Sequence, residues 1–268
     1  MKKAFATIAA TALSASLLAA CGSAQDEISV LATAVPHEEI LAWVDEQHND
    51  FALDIKVVSG GPEVNMSVAD GSADVNFFQH LPYLLDWESS SSEKLVDLGG
   101  VHIEPMSMYS NSVAAVDELQ DGARVAVPNS ASNLARALLL LQDHGLLTLD
   151  GELDPADVSK INLDSIVENP KNIEIVPVAD EIVVQSLDDE SVNGVIASSN
   201  YAMDIGLDPV ADAVISESPK DNPYANIIVA NEDSAKDPQV QALVDALFSN
   251  ETSEWIEETY GSAVIPVH

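Results

Sequence analysis

The chain has 268 residues and sets 10 Lys+Arg against 45 Asp+Glu, a formal charge of −35. Affinity for a phosphate backbone or an anionic lipid surface grows with the number of cations that can reach it, so this balance excludes nucleic acid as a partner and excludes electrostatic attachment to a membrane. A hydrophobic share of 47% is enough for one large or two small folded domains and rules out wholesale disorder.

Residues 1–20 read as an export signal. Lys2 and Lys3 precede an uncharged, proline-free run at 4–20, which Thr7, Thr11, Ser14 and Ser16 make too weak for a membrane span. Cys21, the only cysteine, directly follows Leu18-Ala19-Ala20. This tetrad resembles the lipobox of bacterial lipoproteins, which implies that Cys21 is the lipidation site and that 21–27 is a lipidated tether. A single cysteine also excludes an internal disulfide.

Beyond the tether, apolar runs alternate with amphipathic ones. The pattern predicts a strand at 28–33, a helix at 37–48, a strand at 53–58, a helix at 63–69, a strand at 74–77, a helix starting near Pro82 and a strand at 95–101. It continues with a strand at 124–127, a helix at 133–144, strands at 173–176 and 194–197, a helix at 200–205, a strand at 225–230, and closing helices at 238–249 and 252–259. Such alternation is the mark of an α/β protein. No internal repeat is visible; 89–92 reads as a surface loop and the acidic clusters at 188–190 and 257–258 as solvated faces.

Five segments concentrate chemistry. Asn76-Phe77-Phe78-Gln79-His80-Leu81-Pro82-Tyr83 places three of only 13 aromatics at a strand-to-helix junction, where α/β folds hold ligands. Alternation predicts that one of Phe77 and Phe78 is core. In 101–109, alternation puts His102, Glu104, Met106 and Met108 on one face, with Ile103, Ser107 and Tyr109 opposite; His102 and Glu104 suit a hydrogen-bonded pair beside a cleft, and the two methionines suit packing. In 127–136, polar residues open a helix and Arg136 follows, the outline of a carboxylate site built from helix-end amides and a guanidinium. A cation early in a helix opposes the dipole, so Arg136 needs an anion, either a ligand or an internal Asp or Glu. Asn133 reads equally as a cap or a ligand contact. The last two segments are Ser198-Ser199-Asn200-Tyr201 and Asn222-Pro223-Tyr224-Ala225-Asn226.

Taken in order, these segments resemble the methionine-binding lipoprotein (NlpA) family of ABC importers from about residue 28 to 266. The closest runs are Pro36-His37-Glu38-Glu39-Ile40-Leu41, Phe78-Gln79-His80-Leu81-Pro82-Tyr83-Leu84, Val101-His102-Ile103-Glu104-Pro105-Met106 and Ala225-Asn226, supported by Glu168-Asn169-Pro170-Lys171-Asn172 and Ala263-Val264-Ile265-Pro266. The resemblance implies a type II periplasmic-binding-protein fold, with lobe I at 28–108 plus 227–268, lobe II at 109–226 and the ligand in the cleft between them. It implies no catalysis, no cofactor and no metal. The expected partners are methionine or a close analogue and the permease and ATPase subunits of an importer, with the chain held by lipid on the extracytoplasmic face of the cell membrane. Carried over by position, Arg136 meets the ligand carboxylate, Asn200 and Asn226 meet the ammonium and carboxylate, and Phe78, His80, Tyr83 and Tyr109 surround the side chain. Two departures bear on ligand preference: Phe77 stands where the family usually has tyrosine, and Ser198 where it usually has asparagine.

Three other readings compete. A methionine-containing dipeptide or another small amino acid would suit the same fold. A metal receptor is suggested by six histidines, but His37, His48, His80, His102, His144 and His268 show no close pair in sequence. An exported hydrolase would need a nucleophile with its base, and the chain has neither a Gly-x-Ser-x-Gly elbow nor a His-Glu-x-x-His helix.

Overall fold

A computed structural model describes residues 27–150 and 160–268; the signal segment and Cys21 lie outside them. Strands β1 (Ile28–Ala32), β2 (Leu53–Val57), β3 (Val75–His80) and β4 (Val96–Ile103) are interleaved with helices α1 (Glu39–Gln47), α2 (Pro62–Ala69) and α3 (Leu81–Ser90). The chain then crosses through Glu104-Pro105 into β5 (Met106–Tyr109), β6 (Arg124–Pro128), α4 (Ala131–Asp143), the short pair β7 (Thr148–Leu149) and β8 (Ile166–Glu168), β9 (Glu174–Val178), β10 (Gly194–Ser198), α5 (Ser199–Asp204) and β11 (Ala213–Ser216). It returns through 217–224 to β12 (Ala225–Ala230), α6 (Pro238–Leu247), α7 (Asn250–Tyr260) and β13 (Ile265–Pro266). Among the described residues no helix is long and apolar enough to cross a membrane.

Two sheets result. The first runs β13-β4-β12-β3-β1-β2 and the second β11-β5-β10-β6-β9. In the first, β1, β2 and β3 are parallel, as helical crossovers demand, and β12 enters antiparallel between β3 and β4. The first core lies between this sheet and α1, α6 and α7, where Val30, Ala32, Ile40, Leu41, Phe77, Ile228 and Leu243 are sealed from solvent. In the second sheet the two-residue period sorts each strand: Val125 and Val127 pack with Leu138 and Leu141 of α4, while Ala126 packs on the opposite face with Val183 and Val184. Those two valines belong to a 3-10 segment, Asp180–Asp188, that the hydropathy pattern did not predict.

Sheet membership moves the expected boundaries between the halves. Met106–Tyr109, expected in lobe I up to residue 108, pairs with β10 and β11 of the second sheet, because Pro105 ends β4 and has no N–H for its ladder. Ala225 and Asn226, expected in lobe II, pair with Ile103 and His102 of β4 in the first sheet. The two crossings touch: the Met106 amide donates to Glu217 Oε1, and the Glu217 amide donates to the Met106 carbonyl, each at 3.0 Å.

Candidate functional site

A cavity of about 330 Å³ opens where the sheets face each other, at the lower end of the roughly 300–1,000 Å³ range of small-molecule sites. From the first half come Phe78 and His80 at the end of β3, Tyr83 and Trp87 on α3, and Asn226 on β12. The second half supplies Asn133 and Arg136 on α4, Asp180, Ser198, Asn200 and Tyr201, and Glu104 forms part of the wall from the crossing. Seven of the eight residues expected at a ligand thus line one cavity.

Tyr109 does not. Only 1% exposed, it lies on the face of β5 opposite Met106 and Met108, packed with Ala126, Val184, Val195 and Ala197 beneath the 180–188 segment. Strand alternation gave its face correctly, but the face is covered by an element of the same lobe and is not open to the cleft.

His80 ends β3 and caps α3. The Tyr83 amide donates to its Nδ1 (3.1 Å), so Nε2 carries the proton and donates to Asn133 Oδ1 (2.9 Å). Burial, and then the Arg136 guanidinium, lower its pKa to about 3, so the ring is neutral. Asn133 Nδ2 in turn donates to Asp180 Oδ2 (2.8 Å), giving a hydrogen-bonded chain that runs from one half to the other. Asp180 also accepts from the Asn129 and Ser130 amides, both at 3.0 Å, and from Ser130 Oγ. These two amides lie just ahead of α4, and the carboxylate they hold is an internal one.

Arg136 is 2% exposed and has its own anion, Glu217. Nε donates to Glu217 Oε2 (2.9 Å), and Nη2 donates to Glu217 Oε1 and to the Glu104 carbonyl (2.8 Å), while the ring of Tyr224 lies 4.4 Å from the guanidinium carbon. Burial raises the Glu217 carboxyl, but the guanidinium outweighs it and the net shift is downward. Nη1 makes no hydrogen bond among the described residues. Asn200 Oδ1 is likewise a buried acceptor with no partner, which is costly unless a donor arrives.

At the crossing the fold unites two histidines that are far apart in sequence. His102 Nε2 donates to Glu104 Oε1 (2.9 Å), His37 Nε2 lies 3.3 Å from both Glu104 Oε1 and Asn226 Oδ1, and Thr33 Oγ1 meets His37 Nδ1 at 2.7 Å. Burial lowers His37 to about 4 and His102 to about 3 and raises Glu104. Though no two histidines are close in sequence, the donor atoms of His37, His102 and Glu104 fall within 4.8 Å of one another, a set a divalent ion could use. Hydrogen bonds engage Glu104 Oε1 and the Nε2 atoms of both rings, while His102 Nδ1 is buried with no partner among the described residues. These bonds hold Glu104 in place at the cavity wall, where the Asn200 amide also donates to it.

The profile of the NlpA lipoprotein family matches residues 28–268. The chain belongs to this family. It is 36% identical over 262 residues to the methionine-binding lipoprotein MetQ of Bacillus subtilis (strain 168), covering 94% of each chain. Among solved structures it is similar to an ABC transporter periplasmic substrate-binding protein from Coxiella burnetii, with TM-score 0.81, 34% identity and coverage of 90% of this chain and 100% of the other. It is also similar to a nutrient binding protein from Burkholderia cenocepacia bound to methionine, with TM-score 0.82, 30% identity and coverage of 90% and 100%.

The two departures from the usual NlpA pattern fall in different places. Phe77 faces away from the cavity, its ring edge-on to His37 at 4.6 Å and to His102 at 5.4 Å, so its missing hydroxyl is a core matter. Ser198 lines the cavity, where a short side chain leaves room. Phe78 is the cavity wall and Phe77 the core residue. Glu104, Tyr201, Asp180 and Glu217 are not singled out as ligand contacts by the sequence; it calls for an anion for Arg136, but nothing local marks Glu217, 81 residues away.

Proposed function

We propose that the chain is the lipid-anchored, extracytoplasmic substrate-binding protein of an ABC importer and that it binds methionine for delivery to the permease. The carrying observation is the charge pattern of the buried cavity: one guanidinium with a spare nitrogen, one buried carboxylate at the crossing and one unpartnered amide oxygen. That is the complement of an amino-acid zwitterion. Arg136 Nη1 takes the carboxylate, while Glu104, Asn200 Oδ1 and Asn226 surround the ammonium. Phe78, Tyr83, Trp87 and Tyr201 then wall the side chain, which suits a polarizable thioether. His80 and Asn133 act by joining the two halves across the cleft. The names of relatives that bind methionine support the ligand, and Cys21 after a lipobox-like sequence supports the anchor.

Calorimetry on protein stripped of ligand by unfolding and refolding tests this. L-methionine, D-methionine and a methionine-containing dipeptide are titrated beside zinc. Saturable one-site binding of a methionine species is expected, with a reduced radius in small-angle scattering as the halves close. Binding of zinc alone would transfer the assignment to the His37, His102 and Glu104 cluster.

A further inference from the structure

The crossing holds a set of donor atoms that an amino-acid ligand uses only in part. His37 comes from the turn before α1, His102 from β4 and Glu104 from the crossing itself, and their Nε2, Nε2 and Oε1 atoms lie within 4.8 Å of one another. None of the three side chains is more than 3% exposed. Zinc holds imidazole nitrogens and carboxylate oxygens at about 2.0–2.2 Å, so two ligands of a tetrahedral ion stand about 3.3–3.4 Å apart. His37 Nε2 is already 3.3 Å from Glu104 Oε1, and His102 Nε2, at 2.9 Å from the same oxygen, has only to draw back slightly. Asn226 Oδ1, 3.3 Å from His37 Nε2, stands at the separation of a fourth ligand.

An ion needs both Nε2 atoms bare, which moves each ring proton to Nδ1. At His37 the Nδ1 partner is Thr33 Oγ1, at 2.7 Å. A hydroxyl accepts as readily as it donates, so this bond survives the change of tautomer, and it is the kind of outer partner that orients metal-bound imidazoles. At His102 Nδ1 is buried without a partner among the described residues, so moving the proton there breaks no bond. Both rings can therefore turn a lone pair toward Glu104 without losing a supporting contact. Two imidazoles beside one carboxylate disfavour calcium and magnesium, which take oxygen ligands, and suit zinc and its neighbours.

We propose that His37, His102 and Glu104 form a site for a late first-row divalent ion, zinc above all, and that this ion and the amino-acid ligand exclude one another. Glu104 and Asn226 line the cavity and neither ring does, so the ion reaches the set from the cleft. Its charge then stands beside the two side chains that surround the ligand ammonium. The exclusion rests on the zwitterion-binding reading above; the ion site does not.

The full chain with Cys21→Ser, so that no thiol competes, is refolded free of ligand in detergent and titrated with cobalt(II) and zinc in excess magnesium, which saturates surface carboxylates. One cobalt(II) per chain is expected, with the intense visible bands of a tetrahedral site, and zinc should displace it. His102→Gln, with folding checked by melting temperature, should lose at least about 100-fold in zinc affinity, the upper end of what loss of an outer-shell partner costs. His144→Gln, on the surface, should lose none. At buffered free zinc, saturating L-methionine should weaken zinc binding at least about tenfold, and saturating zinc should weaken methionine binding by the same factor, as linkage requires. No bound ion, a weak octahedral cobalt(II) spectrum, zinc affinity unchanged in His102→Gln, or equal zinc affinity with and without methionine overturns the inference and leaves the zwitterion reading intact. A chain that binds the ion with these signatures and does not bind methionine overturns the zwitterion reading and leaves the ion site standing.

Discussion

Arg136 pairs with Glu217 in the structure and is proposed to meet the ligand carboxylate, two roles that a double variant can separate. Arg136→Ala strips Glu217, itself only 12% exposed, of its cation and leaves it with the Met106 amide and the Asn222 side chain. Breaking a buried pair from one side costs about 3–5 kcal/mol of stability. A desolvated ligand carboxylate loses its charged partner as well, worth about 2–5 kcal/mol of binding. The single variant therefore confounds the two effects. Arg136→Met/Glu217→Gln removes both charges, keeps an acceptor for the Met106 amide and fills the volume, so stability should return to within about 1 kcal/mol of the parent. Affinity for methionine should remain depressed by the full binding loss, a factor of about 30 or more. Urea unfolding and calorimetry in one buffer measure the two quantities. A double variant with restored stability that binds methionine within a few-fold of the parent would refute the assignment of Arg136 to the ligand.

Asn200→Ala removes a buried oxygen that has no partner, so unliganded stability should hold or rise while methionine binding weakens by about 1.5–3 kcal/mol; thermal melts with calorimetry check both, and a loss of stability with intact affinity contradicts the role. The melting temperature should fall between pH 6.5 and 5: His37, His80 and His102 have folded pKa values lowered by burial to about 4, 3 and 3, so the unfolded chain takes up protons that the native one refuses. Their contribution is complete above pH 6.5 and is lost as pH falls toward the folded values, at up to about 1.4 kcal/mol per histidine per pH unit. Glu104, raised by burial, works the other way as one group against three, and a melting temperature that is flat or rising on acidification through this window contradicts the neutral-histidine network. Cys21→Ser should abolish palmitate labelling and release the protein from membranes, no described helix being long and apolar enough to cross one; fractionation in which the variant still sediments with membranes contradicts lipid anchoring.

What could be read from the residues depended on sequence distance. The junction Asn76–Tyr83 was legible because the β3 strand, the His80 cap and the aromatic wall are contiguous, and its rare rings had few alternative uses. Arg136 stood out as one of two arginines in an acidic chain. The covering of Tyr109 was not legible, because alternation tells which face a side chain takes and is silent on what packs over it. Asp180 left a faint signal, an acid just ahead of Ile182-Val183-Val184, but its hold on the Asn129 and Ser130 amides depends on β6 and β9 lying side by side. The cluster of His37, His102 and Glu104 was hidden for the same reason: pairing of β12 with β4 and packing of the turn before α1 bring together residues that no local pattern connects.

The reciprocal bonds between Met106 and Glu217 make the two crossings a single braced pivot, and Glu104 stands on it. In the proposed binding mode a ligand's head group would sit next to this brace, where an opening of the two halves would move the contacting atoms little. The far end of the ligand, between α3 and the 180–188 segment, would lie farthest from the brace, where a difference of one methyl group would become a difference in aperture. Head-group contacts would then grip all amino acids much alike, and the side chain would set how far the jaws shut, the dimension a permease docked on the outer surfaces of both halves can sense.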